Sequence, residues 1–329
     1  GKETEPRKLT SHLEHVVKWA KDNKLSIEPS KCHVTLFTPN TREVNSCPPV
    51  FIRGVAIPLN KNPKWLGLNM DPMHKCTYHV DNSSIAKANS HLQLLKAISG
   101  QDFGDKETLL LTYKAYMKPA LGYAGVIWFP VVGPEAGCIK RAQRTQNSAM
   151  RVITGNHKMA SVDHLLAETE LLPVKDHLGL ICKQFLANAS QVDHPSHETI
   201  KLPTGTRPGR KAVAHTLQSR YGHEVEPYLQ DGILPPAAVK RTLKEIHTKV
   251  VADHKRTLVN KVLGSSPPPV DPSEQTLGRP TRCTLTQLRS DYCKNLKTYQ
   301  ARIGTAPNDL CPECLSVLHT SKHVFNCPS

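Results

Sequence analysis

Apolar residues recur at helical spacing over residues 8–24, where Leu9, Leu13, Val16, Val17 and Ala20 share one face. Ser11 and Glu14 stand at the spacing of a capping box, which satisfies the free N–H groups of a first turn. The period then shortens. Runs rich in β-formers, "HVTLFTP" (33–39), "PVFIRGVAI" (49–57) and "KWLGLNM" (64–70), are broken by Pro and Asn and predict a small antiparallel sheet. From Ser84 the helical period returns through Ile85, Ala88, Leu92, Leu95 and Ile98, with Gly100 as its stop. A second helix is predicted from Lys106 to Lys118, with Leu109, Leu110, Tyr113 and Met117 inward, and a third from Glu135 to Thr154, closed by Gly155. Further helix is expected through 160–190.

Residues 193–236 break the pattern with Pro, Gly, His and basic residues, and read as a surface segment or linker of weak structure. Helix resumes over Ala237–Leu263 with Lys240, Arg241, Lys244, Lys249, Lys255 and Arg256 at exposed positions. The run "GSSPPPVDPSEQ" is a linker before a cysteine-rich end, and there is no internal repeat. The fold class expected is α+β: a mixed start, a helical middle and a small C-terminal module.

Charge narrows the partners. Lys and Arg number 43 against 28 acids, a formal charge of +15 with a pI near 9.4. That balance favours a polyanion, nucleic acid before a lipid surface. No apolar run reaches the ~18–20 residues of a membrane span, so no membrane partner is expected. The first residues, "GKETEPRKLT", have no apolar core of a secretory signal, so the ten cysteines are expected as thiols or metal ligands. The lack of an initiator Met suggests a piece of a longer product.

The last residues read Cys311-x2-Cys314-x8-His323-x3-Cys327. Two thiolates on a tight turn are half of a tetrahedral site, and a histidine and cysteine four apart can present donors from one helical turn. Soft thiolates with one imidazole suit structural Zn2+, and four protein ligands leave no open catalytic position. His319 is an alternative to His323, and Cys283 and Cys293 read as buried thiols.

Several stretches together resemble the reverse transcriptase of non-long-terminal-repeat (LINE-type, jockey-like) retrotransposons, in the part that follows its catalytic Asp-Asp motif. "VVKWAKDNKLSIEPSKCHVTLFTP" (16–39) is similar to palm motif D, with Lys31 at its lysine. "NPKWLGLNMD" (62–71) resembles the primer grip, with Trp65 in the aromatic place. "LLLTYKAYMKPALGYAGVIW" (109–128) and "AQRTQNSAMRVITG" (142–155) resemble the thumb. "LRSDYCKNLKTYQARIG" (288–304) and the Cys/His run resemble the tail of these elements, except that Asp291 stands where the family usually has glycine.

The resemblance implies an order of parts. Residues 1–80 are the C-terminal part of a palm, 81–192 a mainly helical thumb, 193–263 a basic connecting region with helix, 264–282 a Pro-rich linker and 283–329 a zinc-binding tail. It implies Lys31 as a general acid toward leaving pyrophosphate, and Trp65, Leu66 and Gly67 as a hairpin holding the primer end. It also implies Lys114, Lys118, Lys140, Arg141, Arg144 and Arg151 as phosphate contacts. Residues 193–236 match nothing in the family firmly, and Arg207, Arg210 and Lys211, set among Gly and Pro, read as either an RNA-binding arm or a flexible loop. The partners implied are template–primer RNA and DNA and the upstream remainder of the same polyprotein, in the cytoplasm and nucleus. No Asp-Asp pair occurs in this sequence. Mg2+ chemistry would belong to the full-length polymerase, and this chain alone is expected to be inactive. The rival readings are a non-enzymatic, zinc-containing nucleic-acid-binding protein derived from a retroelement, and a basic helical scaffold for proteins.

Overall fold

In the computed structural model, residues 4–38, 40, 42–43, 48–100, 104–201, 213–260, 262, 264–267 and 270–328 are described. The described residues divide into two compact units, one ending at Ser83 and the other starting at Ser84.

The first unit starts with α1 (Thr4–Asp22). Ser11 and Glu14 therefore lie inside the helix, both exposed, and do not cap it. Leu13 and Val17 on one face of α1 pack with Ile27, Cys32 and Val34 over Val50, Ile52 and Ile57. The expected single sheet is two separate antiparallel hairpins: β1 (Phe51–Ile52) with β2 (Val55–Ala56), and β3 (Lys64–Trp65) with β4 (Leu68–Asn69). The run 33–39 makes one parallel bridge, Val34 to Leu59, where Val34 N donates to Pro58 O and Asn60 N to Val34 O. Pro58 has no N–H to extend that ladder. The unit closes with the short α2 (Thr77–His79), whose buried His79 accepts from Asn69 N through Nδ1 at 3.2 Å.

The second unit is helical. It opens with α3 (Ala86–Ile98), α4 (Lys106–Thr112), α5 (Lys118–Gly122), α6 (Gly125–Val132) and α7 (Gly137–Thr154). The helix expected over 106–118 is interrupted by a π-turn, Tyr113–Met117, in which Lys118 N donates to Tyr113 O. Pro119 follows at once, and a residue with no N–H cannot close the regular ladder. Asp105 caps α4, accepting from Thr108 N at 2.6 Å. Gly155 ends α7 at φ +67°, the left-handed stop that the sequence predicts.

Next come α8 (Val162–Thr169), α9 (Val174–Ala189), α10 (His197–Lys201) and α11 (Val213–Val225). The linker reading of 193–236 is corrected here. Helix α11 packs on α9 and α6, and Leu217, Val225 and Leu234 are buried. Leu217, Tyr221 and Val225 stand four apart and form the stripe that composition averaged away. Residues 207, 210 and 211 lie outside the described residues. Helix α12 (Val239–Thr257) also packs on α9.

The cysteine-rich end is not a separate body among the described residues. It belongs to the second unit through α13 (Arg279–Arg289), which starts inside the expected linker. Arg279 donates to Gly104 O at 2.6 Å and Val152 O at 2.8 Å, and Arg282 forms a two-pronged ion pair with Glu107. Two short helices, α14 (Lys297–Arg302) and α15 (Ser321–Val324), complete the chain. No described helix is long and apolar enough to cross a membrane.

Candidate metal centre and nucleic-acid interface

The Cys/His run folds into one cluster. An antiparallel bridge between Leu310 and Leu318, with Cys311 N donating to Val317 O at 2.8 Å, bends the chain so that Cys311 and Cys314 face the same point. Thr320 caps α15 by accepting from His323 N, and this turn sends His323 and then Cys327 back toward the two thiols. The donor atoms of Cys311, Cys314, His323 and Cys327 lie within 4.8 Å of one another.

The edges of this group can be compared with a zinc tetrahedron. Zn–S bonds of about 2.3 Å and Zn–N bonds of about 2.0 Å place neighbouring donors roughly 3.5–3.8 Å apart. Cys311 Sγ lies 3.9 Å from Cys327 Sγ, and Cys314 Sγ lies 3.3 Å from His323 Nε2. The set fits a tetrahedral metal ion such as zinc. Hydrogen bonds from Ser316 hold the Cys314 thiol down at about 6, which favours the thiolate a metal requires.

His319 is excluded as the fourth donor by its other bonds. Its Nδ1 accepts from Lys297 N at 2.9 Å and its carbonyl from Thr298 Oγ1 at 3.0 Å, tying α14 to the cluster. Asp291 has φ +62°, a left-handed position that glycine adopts without strain. Aspartate pairs its carboxylate with Ser321 N at 2.9 Å and so anchors α15. Cys293 is buried and Cys283 lies against Gly155, both outside the metal group.

In the first unit, Trp65 is 68% exposed and Leu66 82% exposed. They sit at the tip of the β3–β4 hairpin, where Leu66 (φ +47°) and Gly67 (φ +85°) make a two-residue turn with both angles positive. Glycine adopts that angle freely, whereas leucine there is strained by roughly 1–2 kcal/mol. The tip is therefore strained, exposed and apolar, and Trp65 is not a buried core residue. Lys31 ends a 3-10 turn, Pro29–Lys31, with its ammonium exposed.

The six helical cations are not gathered into one groove. Lys140, Arg141 and Arg144 are exposed along α7, and Arg151, further along the same helix, is half-buried. Lys140 borders a cavity of about 690 Å³ between α7, α8, α9 and α12. Lys114 and Lys118 line a different cavity, of about 280 Å³. Four further groups line it, of which the sequence singled out Lys255 alone, as an exposed helical cation: His177 and His247, and the pair Glu170–Lys255, whose Oε1 and Nζ are 3.2 Å apart. They come from α9, α12 and the end of α8, and no local spacing connects them to Lys118.

No protein-family model and no solved structure matches the chain. A curated relative does: 164 residues, 49% of this chain, are 31% identical to the probable RNA-directed DNA polymerase from transposon X-element of Drosophila melanogaster. The chain covers 17% of that relative's length. This chain is thus related by sequence to a non-LTR retrotransposon reverse transcriptase over about half of its residues.

Proposed function

We propose that the chain is the part of a non-LTR retrotransposon reverse transcriptase that follows the catalytic aspartates, and that it holds template–primer RNA and DNA rather than making the bond. The observation that carries this reading is the 31% identity to the X-element polymerase, on a chain of formal charge +15 with no Asp-Asp pair. Two metal ions held by aspartates would stabilise the entering and leaving oxygens of phosphoryl transfer, and those ligands would lie on other residues of the polymerase.

Each part then has a physical task. The first unit is the end of a palm. Its hairpin tip offers Trp65 as a flat face for sugar or base and Gly67 as a site of close backbone approach to the primer end. Lys31, an exposed ammonium on a turn, would protonate leaving pyrophosphate. Helices of the second unit are a thumb whose Lys140, Arg141, Arg144 and Arg151 neutralise backbone phosphates without reading sequence. The Cys/His group would hold structural Zn2+, giving folding energy to a tail with little apolar core of its own. The site of action would be intracellular, where the RNA template and target DNA are found.

The test is anisotropy binding of an RNA–DNA template–primer over a salt series. A linear fall in log K with log salt is expected, shallower by roughly one phosphate contact in Arg144→Gln. No binding at low salt would leave only a protein scaffold, and binding with a flat salt response would remove the phosphate contacts.

A further inference from the structure

The 280 Å³ cavity in the second unit has an unusual charge balance. Its acid is Glu170, already paired with Lys255 at 3.2 Å where both side chains are largely exposed. Lys114 and Lys118 face the same space with no acidic partner among the described residues. The π-turn at Tyr113–Met117 adds one residue to the helical turn, and this displaces Lys118 relative to Lys114 from their ordinary register. Deeper in, His177 Nδ1 is buried and makes no hydrogen bond, whereas buried polar atoms are almost always paired.

We propose that this cavity binds a dianionic phosphate, as the terminal monoester of a nucleic acid or as free phosphate, with Lys114 and Lys118 balancing its charge and His177 Nδ1–H donating to one oxygen. The chemistry selects this group over other anions. A phosphate near neutral pH carries a charge of about −1.5 to −2 and several strong acceptor oxygens, which matches two unneutralised ammonium groups and one orphan N–H. A chain-internal phosphodiester carries a single charge and two ester arms, both of which must leave the cavity. A monoester has one arm, and the exposed Glu170–Lys255 pair marks where it can leave.

Two further observations fit. Burial lowers the Lys118 pKa, and the nearby charge of Lys114 lowers it further, so the cavity sets like charges together that an anion would relieve. The polar lining of Gln146 is already engaged, donating to Leu172 O at 2.8 Å, so it does not compete with the lysines and His177. The inference rests on the nucleic-acid reading for the source of the phosphate only, not for the cavity itself.

The experiment is calorimetric titration of the whole chain with inorganic phosphate at constant ionic strength, using chloride as the control anion. Saturable binding is expected, weakened at least tenfold in Lys118→Gln and in His177→Leu. In Lys158→Gln, an exposed cation outside this cavity, it should change less than about twofold. Lys118→Arg, which keeps the charge, should bind more tightly than Lys118→Gln, and far-ultraviolet circular dichroism confirms that each variant folds. Absence of saturable binding, or equal loss in Lys118→Gln and Lys158→Gln, overturns the proposal. A second arm compares 5′-phosphorylated with 5′-hydroxyl RNA of one sequence. Tighter binding of the phosphorylated strand, abolished by Lys118→Gln, identifies a nucleic-acid terminus as the source, and equal binding identifies free phosphate. Phosphate binding that needs Lys118 in a chain that ignores RNA would sustain the cavity while refuting the nucleic-acid function.

Discussion

Glu168→Gln should destabilise the second unit more than any exposed charge change. The Glu168 side chain is 3% exposed, and its carboxylate lies 3.1 Å from Lys106 Nζ and 2.6 Å from Arg289 Nη1. Arg289 also reaches Glu274, so the carboxylate joins α4, α8, α13 and the turn at Pro272–Thr276. Burial by itself would raise the Glu168 pKa, but Lys106 and Arg289 outweigh it and the net shift is downward. Removing one charge from a buried ion group leaves its partners uncompensated, at about 3–5 kcal/mol. Glutamine keeps the shape and an acceptor, so the lower end, about 3 kcal/mol, is expected. For a unit whose total stability is of order 5–15 kcal/mol, that is a large share.

The assay is urea unfolding followed by tryptophan emission. Trp128 is 1% exposed within the second unit, whereas Trp19 and Trp65 are mostly exposed, so the blue component reports Trp128. With a denaturant slope of roughly 3 kcal/mol per molar, the midpoint should fall by about 1 M. Glu170→Gln breaks the exposed pair with Lys255 and should cost under about 1 kcal/mol. Equal midpoints for the two variants would refute the assignment of Glu168 as the buried tie.

Three other outcomes are expected. Gly155→Ala drives a methyl into Cys283 Sγ at a φ of +67°, and should lower stability by about 2–3 kcal/mol, with partial recovery in the double variant with Cys283→Ala; a neutral single variant would contradict the packing of α7 on α13. His177 is held down to about 4 by burial, then by Lys118 and His247, while an unfolded imidazole titrates near 6.5. The unfolded chain therefore takes up the proton first. Stability should be full above pH 6.5 and fall by up to about 3 kcal/mol toward pH 4, with burial shifting His164 in the same direction; a midpoint flat across that window in the Trp128 assay would contradict this. Cys314→Ser should lose one bound zinc per chain by native mass spectrometry, and an unchanged metal content would count against the four-donor site.

The sequence made visible what depends on near neighbours. The stop at Gly155 needed one left-handed residue after a periodic run, and the metal donors needed two short spacings. What it concealed depends on distant partners or on a single missing donor. The π-turn before Pro119 changes the ladder without changing the apolar period. Helix α11 lies in a segment whose Pro, Gly and His content outweighed the stripe of Leu217, Tyr221 and Val225. Arg279 and Arg282 fall in the expected linker, and their partners, Val152 O and Glu107, lie more than a hundred residues away, where no local pattern could show them. The ring of Lys118, His177 and His247 spans three elements, and only the fold assembles it.

The most direct test of the central claim measures template–primer binding and primer extension in one sample with Mg2+ and deoxynucleotides. The account predicts salt-sensitive binding of the duplex with no added nucleotide. Extension of the primer by this chain alone, or no binding of the duplex at any salt, would contradict it.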